Sequence, residues 1–222
     1  MVVVRSPAML TAWILAFALS LQAAPPARNS WEKEYAKGTA ESFAAKFEEP
    51  SRALFRYRAA MAGLMQVKPG MTVAEVGAGS GYLARYLAEK VGAEGRVVAN
   101  DLEPKMVAYM NERATKESLK NFKAIQGQPT STGFEDGSID AMATVYAFSF
   151  FDHPESMLKS MHASLKPNGL LLIVDSPREG IDKSAPGMDA EEVVELASAA
   201  GFKRERENGV VPGHYALIFR KQ

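Results

Sequence analysis

The sequence predicts an α/β fold: a mainly parallel sheet flanked by helices and finished at one edge by an antiparallel hairpin. Three observations predict it. An apolar segment runs straight into a glycine-rich turn and a helix at Val73–Tyr82; strand-length and helix-length apolar runs then alternate as far as Ala200; and two short apolar segments joined by a turn follow Gly201. Alternating strands and helices build a parallel sheet covered on its faces, whereas strands joined by a short turn pair antiparallel.

The elements follow in order, behind a leader that does not belong to the fold. Arg5 precedes the apolar run Met9–Leu21 and the segment QAAPPA follows it, the layout of a signal peptide in which Ala23 suits cleavage. Residues 1–24 are therefore read as a leader that exports the protein to the periplasm or beyond. Extending the run through Ala8 and Ala24 gives about 17 residues against the ~20 of a spanning helix, so an uncleaved inner-membrane anchor is the alternative. Arg5 before the run and Arg28 with Lys33 after it leave the orientation open.

Residues 25–66 form an accessory region, expected as two helices. Asn29 and Glu32 have capping-box spacing, and Trp31, Tyr35, Phe43 and Phe47 recur at multiples of four. That aromatic stripe either packs on the main domain or roofs an apolar substrate. Pro50 ends the first helix, and Ser51 begins a second whose apolar side is Leu54, Tyr57, Met61, Leu64 and Met65. Its arginines Arg52, Arg56 and Arg58 read as a solvated face rather than an anion site.

Residues 67–222 carry the main domain. After VAEVGAGSGY, Leu83, Leu87 and Val91 share one face of a helix, Leu83–Val91, suited to packing on a sheet. The expected elements are then strand Arg96–Asn100, helix Pro104–Ser118, strands Phe122–Gln126 and Ile139–Val145, helix Pro154–Leu165, strand Leu170–Asp175 and helix Asp189–Ala200. The closing hairpin pairs Phe202–Glu207 with His214–Phe219 around Asn208, Gly209, Pro212 and Gly213.

The chemistry points to the first turn. Gly77, Gly79 and Gly81 allow close backbone approach to a ligand, and the following helix presents unpaired N–H groups to an anion. The spacing is G-x-G-x-G, with Tyr82 where a dinucleotide fingerprint needs its third glycine. Glu75 also stands near the place of a pyrophosphate. At ~4 Å and an effective dielectric of ~20, such a like-charge pair costs roughly 4 kcal/mol, and a ligand ammonium gains about as much before desolvation. A cofactor with an amino group and no phosphate fits, and Glu75 and Tyr82 disfavour a nicotinamide dinucleotide, the other reading. Asp101, about twenty residues beyond the loop at the end of the second strand, suits ribose hydroxyls, or else opens the helix begun by Pro104.

These blocks, with VVANDLEPKMVAYM (97–110), FEDGSIDAM (134–142) and SMLKSMHASLKPNGLLLIVD (156–175), resemble class I S-adenosylmethionine-dependent methyltransferases over roughly Leu64 to Lys221. The ending GFKRERENGVVPGHYALIFRK is similar to bacterial methyltransferases with an N-terminal signal sequence. The resemblance implies a Rossmann-like sheet of seven strands with an antiparallel edge and S-adenosyl-L-methionine as cofactor. It places cofactor contacts at Glu75, Gly77, Ala78, Gly79, Ser80 and Gly81, the ribose acid at Asp101 and the adenine-packing residue at Leu102. Relatives often carry an acid after the glycine that follows the third strand; here Gly127 precedes Gln128, whose carbonyl can accept the same bond. Tyr146 either lines the methionine end or only packs.

No particular catalytic side chain is demanded, because the sulfonium methyl is already activated and positioning supplies most of the rate. The candidate bases are Tyr146, Asp152, His153, Asp175 and His214, each with a structural reading beside it: caps for Asp152 and His153, strand positions for Asp175 and His214, and a helix face for the noncandidate His162. Signal-bearing relatives carry histidines where this chain has Ala147, Phe148 and Ser149, which favours an apolar pocket near Phe148, Phe150 and Phe151, unless those rings are core.

Composition sets the outer limits. At 222 residues, one core burying about 70% of the unfolded surface suffices. Lysine plus arginine and aspartate plus glutamate number 26 each, so no net field recruits nucleic acid. Cysteine is absent, and the three histidines have no metal-ligand spacing. The expected partner is a small-molecule or lipid-like acceptor; a cofactor-binding protein without catalysis is the alternative. Oligomeric state is left open by the sequence.

Overall fold

The computed structural model describes residue 32, residues 35–179 and residues 186–222. The expected leader, Trp31 and the Asn29 end of the expected capping box lie outside them. The chain runs α1 (Ala40–Phe47), α2 (Ala53–Arg56), α3 (Arg58–Leu64), β1 (Thr72–Val76), α4 (Tyr82–Val91), β2 (Arg96–Asp101), α5 (Pro104–Lys116), β3 (Phe122–Gln126) and β4 (Ile139–Val145). A short 3-10 turn (Phe148–Phe150), α6 (Pro154–Ser164), β5 (Leu165–Asp175), α7 (Ala190–Ala199), β6 (Phe202–Asn208) and β7 (Tyr215–Lys221) complete it.

The seven strands are ordered β3-β2-β1-β4-β5-β7-β6. β1 pairs in parallel with β2 and β4, while β7 is antiparallel to both β5 and β6. The order reverses between β1 and β4, which is where open α/β sheets bind ligands at their carboxyl ends.

Because successive strand residues face opposite ways, the sheet divides two cores. Leu170, Leu172 and Val174 of β5 join Val73, Leu83, Leu87 and Val97 on the face covered by α3, α4 and α5. Leu171 and Ile173 join Ala74, Val76, Met142, Leu158 and Leu217 on the α6 and α7 face. In β4 the parity changes at a register shift between Ile139 and Ala141, so Ile139 and Met142 share a face although three residues apart.

Most expected helices keep their bounds within a residue or two. α5 stops at Lys116 rather than Ser118, since Ser118 takes a left-handed φ of 59°. The accessory region differs more: two helices were expected, and the described residues from Ala40 to Leu64 form three short ones. Thr39 caps α1, its Oγ1 accepting from the Ser42 N–H at 3.2 Å. The second expected helix breaks at Tyr57 (φ −92°, ψ 12°). The break is held by Arg58, which donates from Nη1 to the Phe55 carbonyl at 2.7 Å and lies 4.3 Å from the Phe55 ring centre.

Among the described residues no helix is long and apolar enough to cross a membrane; the apolar run Met9–Leu21 lies outside them.

Candidate active site

The glycine turn between β1 and α4 sits at the reversal of strand order. Gly77, Gly79 and Gly81 have φ of 71°, 54° and 71°, a region that side chains other than glycine's rarely adopt. Space forbids side chains too: a Cβ on Gly77 would lie 2.6 Å from that of Ala147, and one on Gly81 2.9 Å from Met110. Asn100 braces the turn, its Oδ1 accepting the Gly77 N–H at 3.1 Å and its main-chain carbonyl the Ala78 N–H at 2.8 Å. Its Nδ2 donates to the Thr132 carbonyl at 2.6 Å, tying in the loop after β3.

Glu75 is 1% exposed, and its Oε2 accepts the Ala84 N–H at 2.8 Å. The physical reason is local. Gly81, the N-cap of α4, has no side chain to satisfy the first-turn donors, so the carboxylate from the preceding strand does. Burial pushes the Glu75 carboxyl up to about 8, against the Ala84 hydrogen bond that favours its charged form. Asp101 is also buried, accepting the Gly79 N–H at 2.8 Å through Oδ2 and the Glu103 N–H at 3.0 Å through Oδ1. Burial raises its carboxyl from the usual range. Each oxygen keeps a second lone pair for a ligand hydroxyl.

Beside the turn opens a cleft of about 350 Å³, counting its mouth to solvent, lined by Gly77, Asn100, Leu102, Gln128, Phe151, Asp152 and Met157 among others. Leu102 is 39% exposed although large and apolar. The Gly127 N–H donates to the Asp101 carbonyl at 2.9 Å, which brings Gln128 to the same wall. The cleft thus gathers Gly77, Leu102 and Gln128 from the residues expected by sequence. Ala78, Ser80 and Gly81 are buried within the turn itself.

Tyr146 stands across the strand reversal at the end of β4. Its φ is 54°, its N–H donates to the Val174 carbonyl at 2.7 Å, and its ring packs edge-on against Phe150 and His214. Left-handed backbone in an aromatic residue is strained and concentrates at functional positions.

The other candidate bases separate. Asp152 lines the cleft, and His153 begins α6 with an exposed side chain. Asp175 is fully buried, accepting from the Ser149 N–H at 3.0 Å, the Ser149 hydroxyl at 3.2 Å and the Ser176 N–H at 2.8 Å. It shapes the turn after β4, and burial pushes it up to about 6. His214 pairs through Nδ1 with the Pro212 carbonyl at 2.9 Å, and burial lowers its pKa. Phe148 belongs to the core, whereas Phe151 reaches the cleft.

The accessory helices roof the site. Tyr35 and Phe43 pack with Ala40 on Met106 and Tyr109 of α5, and Phe47 reaches over the turn, its ring 3.1 Å from where a Gly79 Cβ would stand. Of the stripe, Tyr35 and Phe43 therefore pack on the main domain and Phe47 lies over the glycine turn. Two residues escaped the sequence reading. Asn100 had no signal beyond its place before Asp101. Arg52, expected on a solvated face, is instead half-buried above the turn, 5.5, 6.0 and 5.8 Å from the ring centres of Phe47, Tyr82 and Tyr146.

Residues 73–169 match the family model described as a methyltransferase domain. A SAM-dependent methyltransferase from Aquifex aeolicus superposes with a TM-score of 0.75 at 26% identity, over 83% of this chain and 100% of that one. The fold is that of a class I methyltransferase. Among curated proteins, a ubiquinone/menaquinone biosynthesis C-methyltransferase of Legionella pneumophila is 32% identical over 113 residues, which are 50% of this chain and 45% of that protein. A demethylmenaquinone methyltransferase of Listeria monocytogenes is 29% identical over 118 residues, 53% and 50% of the two chains. The chain thus spans about half the length of the curated relatives it matches. The methyltransferase fold also occurs in the cyclase SpnF, at a TM-score of 0.66 and 16% identity over 75% of this chain and 80% of that one.

The methyltransferase domain and fold imply S-adenosyl-L-methionine as cofactor, and the residues present fit it. The glycine positions of the turn leave no room for side chains, the fully buried Ser80 Oγ has no hydrogen-bond partner, and an apolar cleft adjoins both.

Proposed function

We propose that the protein transfers a methyl group from S-adenosyl-L-methionine to a small-molecule or lipid-like acceptor. The observation that carries this reading is the left-handed glycine turn at the strand reversal, opening beside a cleft that holds Leu102 and Gln128. When bound, the cofactor supplies a methyl group already activated on a sulfonium.

The chain's residues bind and orient. Leu102 offers adenine an apolar face, Gln128 accepts from its amino group, and Asp101 accepts from the ribose hydroxyls. Gly77 to Gly81 let the main chain approach the amino-acid end, with Glu75 behind them and Tyr146 opposite. Holding an acceptor in line with the S–CH₃ bond supplies several kcal/mol, up to ~7 to 11 when orientation is close to ideal.

Aromatic rings on the roof and across the reversal, Phe47, Tyr146 and Phe150, favour a flat or apolar acceptor. The quinone-biosynthesis names of the curated relatives support the same class. We assign residues 1–24 to a leader that exports the domain or anchors it at the membrane; protease protection of a C-terminal tag in fractionated cells separates the two.

Titration calorimetry with S-adenosylhomocysteine and transfer of labelled methyl to a panel including reduced quinones test the function. Binding with turnover is expected. Binding with no turnover on any acceptor overturns catalysis in favour of a cofactor-binding protein, and NAD binding without S-adenosylhomocysteine binding overturns the cofactor.

A further inference from the structure

We propose that Arg52 is the carboxylate-binding residue of the cofactor crevice, pairing with the amino-acid carboxylate of S-adenosylmethionine; this rests on the cofactor reading above. The argument starts from where the guanidinium is held. Arg52 precedes α2, and its Nη1 donates to the Phe47 carbonyl at 3.1 Å. The three rings around it come from three elements that converge on the glycine turn. Phe47 ends α1 over Gly79, Tyr82 opens α4 directly after Gly81, and Tyr146 follows β4. The cation therefore hangs across the gap between the two strands where the sheet order reverses.

Charge balance makes the position informative. The neighbouring arginines are neutralised: Arg85 and Arg113 pair with Glu48 at 2.9 and 2.8 Å and with Glu117 at 3.0 and 2.9 Å. Among the described residues Arg52 has no such partner. The two buried carboxylates beneath the roof are engaged elsewhere, Glu75 with the Ala84 N–H and Asp101 with those of Gly79 and Glu103. A half-buried guanidinium without a counter-ion loses hydration that aromatic faces only partly replace. An anion that completes the fork restores the balance.

The ligand's chemistry supplies that anion. S-adenosylmethionine carries one carboxylate, at the end opposite adenine. With adenine against Leu102 and Gln128, that end falls toward the glycine turn and the rings that enclose Arg52. A guanidinium binds a carboxylate bidentately, which fixes the orientation of the amino-acid end as well as its affinity. The first turn of α4 adds a favourable dipole. An acceptor carboxylate is the other source of the same chemistry, and the test separates them.

Binding of S-adenosylhomocysteine and of methylthioadenosine, which lacks the amino-acid end, is measured by calorimetry for wild type and Arg52→Met. The expected result is a loss of about 10- to 100-fold for S-adenosylhomocysteine, the range for a hydrogen-bonded charge, with methylthioadenosine changed less than about 2-fold. Arg52→Lys, which keeps the charge without the fork, is expected between the two and serves if the Met variant fails to fold. Equal losses for both ligands, or no loss for either, overturn the inference; an unchanged cofactor affinity transfers Arg52 to the acceptor at most. Failure of wild type to bind either adenosine ligand overturns the cofactor reading itself.

Discussion

Glu75 joins a strand, a helix and a titration. Its carboxyl moves from about 4.5 in the unfolded chain to about 8 in the fold, so folding favours the neutral form. That contribution is complete below about pH 4.5 and is lost as pH rises toward 8. Asp175, raised from 3.8 to about 6, acts with the same sign over a lower window. Wild type is therefore expected to lose unfolding free energy from pH 6 to 8, and Glu75→Gln to lose less, as urea unfolding at the two values will show. A glutamine carbonyl can keep the Ala84 bond, so the same variant separates fold from ligand: cofactor affinity is expected to fall with the circular dichroism unchanged. Gly79→Val is the sterner change. It forces a β-branched residue to φ 54° with its Cβ 3.1 Å from Phe47, expected to cost about 1–2 kcal/mol or more in unfolding free energy and to abolish binding in calorimetry. The glycines were legible in sequence because chain geometry demands them, and Asp101 because of its place at the end of the second strand, about twenty residues past the loop. Asn100 and Arg52 were not, since their roles depend on groups 23 and 32 residues away or on rings from three separate elements.

At the scale of elements, the roof is fastened at both ends of α1. Lys105 of α5 donates through Nζ to the Gly38 carbonyl at 2.9 Å and to that of Tyr35. Glu48, just past the helix, bridges Arg85 of α4 and Arg113 of α5. Both contacts at Glu48 sit at a carboxylate only 13% exposed, which places them above the usual worth of a surface pair. Glu48→Gln is expected to destabilise the protein by about 1 kcal/mol and, more tellingly, to speed amide hydrogen exchange over Ala40–Phe47 while α4 and α5 stay protected. Faster release of S-adenosylhomocysteine in stopped flow should accompany it, because Phe47 leans over the turn. The sequence gives this region its apolar stripe but neither its break at Tyr57 nor its latch. The break rests on the contacts of Arg58 with Phe55, and the latch joins residues 37 and 65 positions apart.

For the molecule as a whole, a ligand that binds only the folded state raises its stability by about 2.7 kcal/mol at a hundredfold excess over Kd. For a domain of this size that is roughly 5–10 °C in Tm. S-adenosylhomocysteine is expected to produce such a shift in a thermal scan, and its absence would argue against a preformed site. The sheet itself was the most legible feature. Every strand anticipated between Val73 and Phe219 is present, because alternation and turn residues encode parallel and antiparallel connections locally. The order of the strands was not readable in the same way, and it has a consequence for synthesis. β7, last of the seven in chain order, lies between β5 and β6, and its residues Tyr215 to Phe219 are buried. Until β7 leaves the ribosome, the run Leu170–Val174 of β5 has one bare edge, open to other nascent chains. Docking of the β6–β7 hairpin is then the step that closes the sheet, and a chaperone that shields β5 in the interval would act on yield without touching the finished protein.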